Sequence, residues 1–127
     1  MLAWYNIGWL DTRFKKLKRH EETLHKDLWE AVDTNGADVI LLCECGEIGV
    51  GLPKEWLKVV RRCCGPGFDV THQSHYTSIV RKSTVEVLEG PSLAGPLCRE
   101  HEYRMCQHLK VQLGDSDATP IDLLNLH

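Results

Sequence analysis

Two apolar runs near the start of the chain, separated by a helical stretch, limit the possible folds more than any other feature. Residues 2–8 read LAWYNIG and residues 37–45 read ADVILLCEC. Each run has the length of one strand, and the unbroken second run is typical of a strand covered on both faces. Strand, helix, strand predicts a parallel βαβ unit with a right-handed crossover. Between the runs, apolar residues recur at helical spacings of seven, four and three: Leu17, Leu24, Leu28 and Ala31.

Glycine, asparagine and proline predict where the helices begin and end. The first helix is expected to run from about residue 14 to Asn35, because Asn35 and Gly36 both tolerate the left-handed conformation that ends helices. A second helix is expected to open at Pro53, whose missing N–H has no cost in the first turn. The Gly-Pro-Gly at 65–67 ends it.

Beyond residue 67 the pattern changes to short segments rich in Val, Thr, Ile and Tyr, separated by turn residues. No helix is expected between them, so they should pair as antiparallel neighbours, with a loop at 90–96. The sequence therefore predicts an α/β (α+β) fold with a βαβ start followed by mostly antiparallel strands. The predicted strands are 68–73, 76–82, 84–89, 103–113 and 120–127.

Composition limits the function only weakly. A chain of 127 residues is one domain by length, and its net charge of -3 gives no bulk reason for nucleic-acid binding, which depends on local Lys and Arg. We find no signal peptide and no apolar stretch long enough for a membrane span. The six cysteines are therefore expected to be reduced, in a cytoplasmic or nuclear compartment. Nothing in the sequence indicates an obligate oligomer.

Two polar residues stand where the predicted parallel strands end. Asn6 interrupts the first apolar run, and Glu44 is the only charge within 39–45. The carboxyl ends of neighbouring parallel strands meet at one sheet edge, so the two residues are expected side by side. An amide oxygen beside a carboxylate suits Mg²⁺, which prefers oxygen ligands. Alternatively, Asn6 bonds a loop and Glu44 faces solvent. Glu47, in an expected loop after Gly46, is a less favoured carboxylate.

Four segments in order carry a family resemblance: YNI at 5–7, DVILLCE at 38–44, EYRM at 102–105 and NLH at 125–127. Together they resemble the endonuclease/exonuclease/phosphatase superfamily, which includes DNase I. The resemblance implies the front portion of a four-layer α/β/β/α sandwich. It also implies a metal-dependent phosphoester hydrolase, acting as a phosphodiesterase or phosphatase on a phosphate-ester substrate such as a nucleic acid.

The resemblance also implies roles for individual residues. Asn6 and Glu44 would help to hold a catalytic Mg²⁺, with Mn²⁺ as a possible substitute. His127 and Asn125, from the N-x-H strand end, would be catalytic residues, with His127 donating to a phosphoryl oxygen. Arg104 would bind the substrate phosphate or support the site.

Other residues offer less specific signals. Tyr76, in the strand after the second helix, is a candidate substrate contact, and the alternative is an ordinary edge-strand aromatic. The basic run at 13–20 is either a phosphate-binding patch or a solvated helix face. A zinc site fits poorly, because structural zinc ligands usually come in Cys-x₂₋₄-Cys pairs; buried small side chains are the better account of the cysteines. The residues considered for zinc are Cys43, Cys45, Cys63, Cys64, His72 and His75.

Two segments of the superfamily pattern are not found in these residues. One is the G-D-F-N type segment, whose Asp and Asn activate the attacking water and bind the phosphate in that superfamily. The other is the closing S-D-H type segment. We therefore interpret 1–127 as a partial domain, truncated after the NLH strand, that would be weak or inactive alone. The alternative hypothesis is a non-catalytic remnant that binds a phosphate ligand or a protein.

Overall fold

The computed structural model describes residues 2–6, 26–43, 45, 55–94, 106–114 and 117–126. Within them, residues 26–34 form helix α1, whose Glu30–Thr34 part has π-helical hydrogen bonding, and Trp56–Cys64 forms helix α2. Neither helix is long and apolar enough to cross a membrane. The strands of the described residues are β1 (Leu2–Asn6), β2 (Val39–Cys43), β3 (Phe68–Gln73), β4 (Tyr76–Arg81), β5 (Val85–Ala94), β6 (Cys106–Leu113) and β7 (Ile121–Asn125).

The first sheet has the strand order β1-β2-β4-β3. Strands β1 and β2 are parallel, with Leu2 opposite Val39 and Asn6 opposite Cys43. Strand β4 pairs antiparallel with both β2 and β3. The βαβ start predicted from the two apolar runs is therefore confirmed, with its two carboxyl ends side by side.

The second sheet has the order β5-β6-β7, and both of its strand pairs are antiparallel. The predicted run of antiparallel strands after residue 67 is confirmed, and the predicted bounds of β3 agree with the structure. The loop predicted at 90–96 is wrong in its first part, because β5 continues through Gly90 and Pro91 to Ala94. Two register shifts, between Val87 and Glu89 and between Glu89 and Ser92, let β5 keep pairing with β6 there.

Strand β2 separates two apolar cores, because its side chains alternate between two covered faces. On one face Ile40 and Leu42 pack against the helices, and on the other Val39 and Leu41 pack against the second sheet. Helices, first sheet and second sheet thus form successive layers, as expected for the front portion of the α/β/β/α sandwich. The inter-sheet core contains Val39, Leu41, Val80, Val85, Leu109, Val111 and Leu123.

Helix α1 ends where the sequence predicts. The N–H of Asn35, the C-cap residue, donates to the Glu30 carbonyl, and Gly36 follows with φ +60°. Arg81 fixes this end to the sheet, because its guanidinium donates to the carbonyls of Val32 and Ala37 at 3.0 Å each. The contact with Val32 satisfies a carbonyl that the last turn of the helix leaves unpaired, and the contact with Ala37 fixes the chain just after it.

Gly90 generates a stability prediction. Its φ is +82°, and a Cβ added there would lie 2.5 Å from the backbone oxygen of His108 in β6. Gly114 has φ +70° but open space around the corresponding position. Gly114→Ala should therefore cost only the left-handed backbone penalty, about 1–2 kcal/mol. Gly90→Ala should cost at least about 1–3 kcal/mol more, because β5 and β6 must move apart. Urea denaturation of both variants measures this, and equal losses would contradict the close packing at Gly90.

Candidate active site

The carboxyl ends of β1 and β2 form the edge at which the sequence predicts a metal site. The backbone of Asn6 lies opposite Cys43, the residue that precedes Glu44 in the chain. After Glu44, the Cys45 N–H donates to the His75 carbonyl at 3.0 Å, which extends the pairing beyond β2. The side chain of Asn6 and the whole of Glu44 lie outside the described residues. The described backbone therefore places Asn6 at the same sheet edge as Cys43 and Cys45, the two residues that flank Glu44 in the chain.

Asn125, at the end of β7, links the second sheet to this edge of the first. Its side chain is fully buried, and its Nδ2 donates to the Leu42 carbonyl at 2.9 Å. Its Oδ1 is buried and makes no hydrogen bond to the residues that the structure describes. A buried acceptor without a donor costs about 1–3 kcal/mol. The amide oxygen of Asn125 is thus available to a donor or a cation at this end of the sandwich.

A buried glutamine, Gln107, and a half-buried one, Gln73, continue the polar contacts between the sheets. Gln107 lies opposite Asn125 in the β6–β7 pair, and its Nε2 donates to Gln73 Oε1 at 3.2 Å. Gln73 Nε2 in turn donates to the Pro91 carbonyl at 3.0 Å. Neither glutamine was predicted from the sequence. Strand alternation could have indicated Gln107, because it stands two residues before Leu109 and so lies on the same inward face of β6.

A second polar cluster lies on the helix side of the first sheet, around the fully buried hydroxyl of Thr77. Trp56 Nε1 donates to Thr77 Oγ1 at 3.1 Å, and Thr77 donates to Cys45 Sγ at 3.4 Å. His72 Nδ1 lies 2.9 Å from the same oxygen. A hydroxyl has one proton, and Thr77 donates its proton to the Cys45 sulfur. His72 must therefore carry a proton on Nδ1 and donate it to Thr77 Oγ1.

The buried Cys45 and the half-buried Cys64, at the end of α2, both stay neutral thiols. Burial is the largest cause that raises the pKa of the Cys45 thiol to about 12. Burial likewise raises the pKa of Cys64 to about 12, with neighbouring Cys63 adding to it. A thiol that stays protonated is a poor nucleophile and a poor metal ligand. Among the described residues, no group of three or more His, Cys, Asp or Glu is placed to hold a metal ion.

Tyr76 lies at the same end, but in the interior of the sheet. Strand β4 has β2 and β3 as neighbours, so the edge-strand interpretation of this aromatic is wrong. Tyr76 is 4% exposed, and burial, followed by the nearby Cys106 and Cys43 thiols, raises the pKa of its phenol. Its role in substrate binding stays a prediction. Arg104 and His127 lie outside the described residues.

Comparison with family models and with curated proteins gives no match to this sequence. Solved structures do match. D. rerio TDP2, complexed with single-strand DNA product, has a TM-score of 0.62 and 16% identity over 97% of this chain. An endonuclease/exonuclease/phosphatase family protein from Bacteroides thetaiotaomicron has a TM-score of 0.63 and 11% identity over 97% of this chain. The corresponding protein from Bacteroides vulgatus has a TM-score of 0.65 and 12% identity over 98%.

These matches concern only part of each solved structure. The chain spans 43% of the TDP2 chain, 48% of the B. thetaiotaomicron chain and 50% of the B. vulgatus chain. At such identities the likeness is one of fold, and it agrees with the layers and strand order described above. The chain therefore has the fold of the N-terminal part of an endonuclease/exonuclease/phosphatase domain.

Proposed function

We propose that this chain forms part of a divalent-metal-dependent phosphoester hydrolase, with the active site at the carboxyl ends of β1 and β2. The observation that carries the proposal is the parallel register of Asn6 with Cys43, immediately before Glu44. The parallel pairing brings an amide residue and a carboxylate residue to one sheet edge, where ligands of such sheets bind. The fold, shared with nucleases and phosphatases, supports the same reaction class.

The residues that would hold the metal are Asn6 and Glu44, and the chemistry of this donor set fits Mg²⁺ or Mn²⁺. When bound, the ion would polarise a phosphoryl oxygen and offset the charge that develops on it. The buried Oδ1 of Asn125, which has no hydrogen-bond donor among the described residues, also fits a site that contains a cation or its bound water.

The protein groups would bind and orient the phosphate ester. His127 follows Asn125 by two residues, so the buried Asn125 amide positions the chain on which His127 lies. A protonated His127 would donate to a phosphoryl oxygen, and Arg104 would neutralise part of the phosphate charge. Tyr76 is buried next to this edge, so it would support these contacts from within the protein and would not extend into solvent.

The fold alone does not select a substrate, but the solved neighbours suggest one to test first. TDP2 is complexed with single-strand DNA product in its structure, so single-stranded DNA is the first substrate to test. A second candidate function is phosphate-ligand or protein binding without turnover. The observation that favours it is the lack of a G-D-F-N or S-D-H type segment within these 127 residues.

Substitution of Glu44 tests the metal site. Glu44→Gln keeps the shape of the side chain but removes the charge that would hold Mg²⁺. We expect kcat/KM for bis(p-nitrophenyl) phosphate or single-stranded DNA to fall at least about 100-fold, the usual loss when a transition-state charge is left without compensation. Glu47→Gln is the matched control and should keep the parental rate. Where the parent shows turnover, activity of Glu44→Gln equal to that of the parent would overturn the assignment.

The same assay separates the two candidate functions. A parent protein that hydrolyses neither substrate in saturating Mg²⁺ or Mn²⁺, yet binds single-stranded DNA in a Glu44-dependent manner, would establish the binding module. Turnover that disappears with chelator and returns with added Mg²⁺ would establish the hydrolase.

Asn125 generates a prediction on stability that depends on pH. Asn125→Asp replaces the donor to the Leu42 carbonyl with a buried carboxyl group, whose pKa burial raises above the unfolded value of about 3.9. The variant should therefore be closest to the parent below about pH 4 and lose stability as the pH rises, by about 3 kcal/mol or more at neutral pH. Asn35→Asp makes the same change at an exposed position. Urea denaturation across this range measures both, and parallel profiles would contradict the buried link.

A further inference from the structure

Three side-chain amides form a continuous relay of hydrogen bonds between the two sheets. Gln73 lies at the end of β3, Gln107 near the start of β6 and Asn125 at the end of β7. The Pro91 carbonyl accepts from Gln73 Nε2 at 3.0 Å, and Gln73 Oε1 accepts from Gln107 Nε2 at 3.2 Å. Asn125 Nδ2 donates to Gln107 Oε1 at 3.5 Å and to the Leu42 carbonyl at 2.9 Å. This amide relay therefore runs from the outer strands β3 and β5 to the end of β2.

The first acceptor of the amide relay lies at an irregular point of β5. The register shift between Glu89 and Ser92 leaves Gly90 and Pro91 outside the paired register with β6. A bulge of this kind removes backbone groups from the strand ladder, and inside a protein they need another partner. Gln73 Nε2 is the donor that the Pro91 carbonyl receives.

The carbonyls at the two ends fix the direction of every amide between them. A carbonyl only accepts, whereas a side-chain amide has an NH₂ group that donates and an oxygen that accepts. Pro91 therefore requires the NH₂ group of Gln73, which leaves Gln73 Oε1 toward Gln107. Gln107 must then donate with its own NH₂ group, which leaves its oxygen toward Asn125. Leu42 requires the NH₂ group of Asn125, so both ends of the relay demand the same direction.

Asn125 is the residue on which both ends of the amide relay act. The two N–H bonds of its NH₂ group serve two acceptors, the Leu42 carbonyl and Gln107 Oε1. Two acceptors on one NH₂ group define the plane of the amide as well as its direction. Asn125 and Gln107 are both fully buried, so water does not compete for these hydrogen bonds. A reversed Asn125 amide would place its oxygen against two other oxygens.

The orientation of Asn125 bears on the two strand ends that carry candidate site residues. His127 follows Asn125 by two residues, and Glu44 follows Leu42 by two residues. The hydrogen bond between Asn125 and Leu42 thus joins the two strands at the same sequence distance from both candidates. Groups that hold the Asn125 amide in place also limit how far the end of β7 can shift along β2.

We propose that Gln107 and Gln73 are positioning residues of the candidate active site. Through the amide relay they hold the Asn125 amide in one orientation. Asn125 in turn fixes the strand end of His127 relative to that of Glu44, and neither glutamine need contact the substrate. This positioning role rests on the proposed function, whereas the dependence of the Asn125 amide on the two glutamines does not.

Solvent exchange of side-chain amides in the metal-free full chain tests the relay. Gln73→Met removes the donor to Pro91 without touching Asn125, and this half-buried position should tolerate the change. We expect the side-chain N–H groups of Asn125, followed by NMR, to exchange about threefold to tenfold faster, the factor that corresponds to one net hydrogen bond. Gln107→Met should have at least as large an effect. Backbone amides of the inter-sheet core, measured in the same samples, correct for global opening.

Gln112→Met is the matched control, because it removes a side-chain amide from the same strand as Gln107. Gln112 is 9% exposed and donates to the Ala118 carbonyl, outside the relay. The control should leave Asn125 exchange and the ring resonances of His127 as in the parent, whereas both relay variants should shift those ring resonances. Asn125 exchange or ring resonances that are unchanged in both relay variants, or equally changed in the control, would overturn the proposal.

Turnover of bis(p-nitrophenyl) phosphate separates the positioning role from the proposed function. Where the parent shows turnover, Gln73→Met should lower kcat on the order of tenfold and leave KM within about twofold, because misplaced reacting groups slow the chemical step more than they weaken binding. An unchanged kcat, or the same loss in Gln112→Met, would overturn the positioning role. A parent without turnover counts against the hydrolase, and the exchange and ring measurements then decide the relay alone.

Discussion

Strand β2 is the element on which the rest of the structure depends, because all five of its residues are buried. Ile40 and Leu42 anchor the helix layer, while Val39 and Leu41 anchor the second sheet. Full burial of each such side chain contributes about 1.5–3 kcal/mol. A strand with apolar neighbours on both faces has no room for a charged residue along its length. Polar chemistry is therefore confined to the end of the strand, and this is where Glu44 stands in the chain.

Local patterns were sufficient to predict β1, β2, β3 and the end of α1 from the sequence. Apolar periodicity and turn residues determine such elements within a few positions of the chain. The continuation of β5 could not be predicted in this way. Gly90 and Pro91 normally break strands, but β5 continues because it pairs, through register shifts, with β6, whose residues lie 12 or more positions further along the chain. The π-helical hydrogen bonding of Glu30–Thr34 was not predicted either, because it has no short-range sequence pattern.

The candidate site likewise has features that the sequence predicts and features that depend on long-range packing. The meeting of Asn6 with the end of β2 follows from βαβ geometry, so the sequence alone predicted it and the backbone register agrees. The contact of Asn125 with the Leu42 carbonyl joins residues 83 positions apart, across two packed sheets. Strand alternation places Asn125 on an inward face, but only the packing of the second sheet on the first selects its partner. The Gln107–Gln73 contact is hidden from sequence reasoning for the same reason.

The carboxyl end of β2 differs from the middle of the sandwich in the interactions that hold the layers together. In the middle, the layers meet through apolar side chains, whose attraction has no preferred direction. At the carboxyl end of β2, hydrogen bonds hold both faces: Thr77 with Trp56 on the helix side, and Asn125 with Leu42 on the side of the second sheet. Hydrogen bonds weaken steeply with angle, so they fix position as well as distance. Phosphoryl chemistry needs reacting groups held to within a fraction of an ångström. If the proposed hydrolase site lies at this edge, a directional polar layer would meet that need before any ligand is bound.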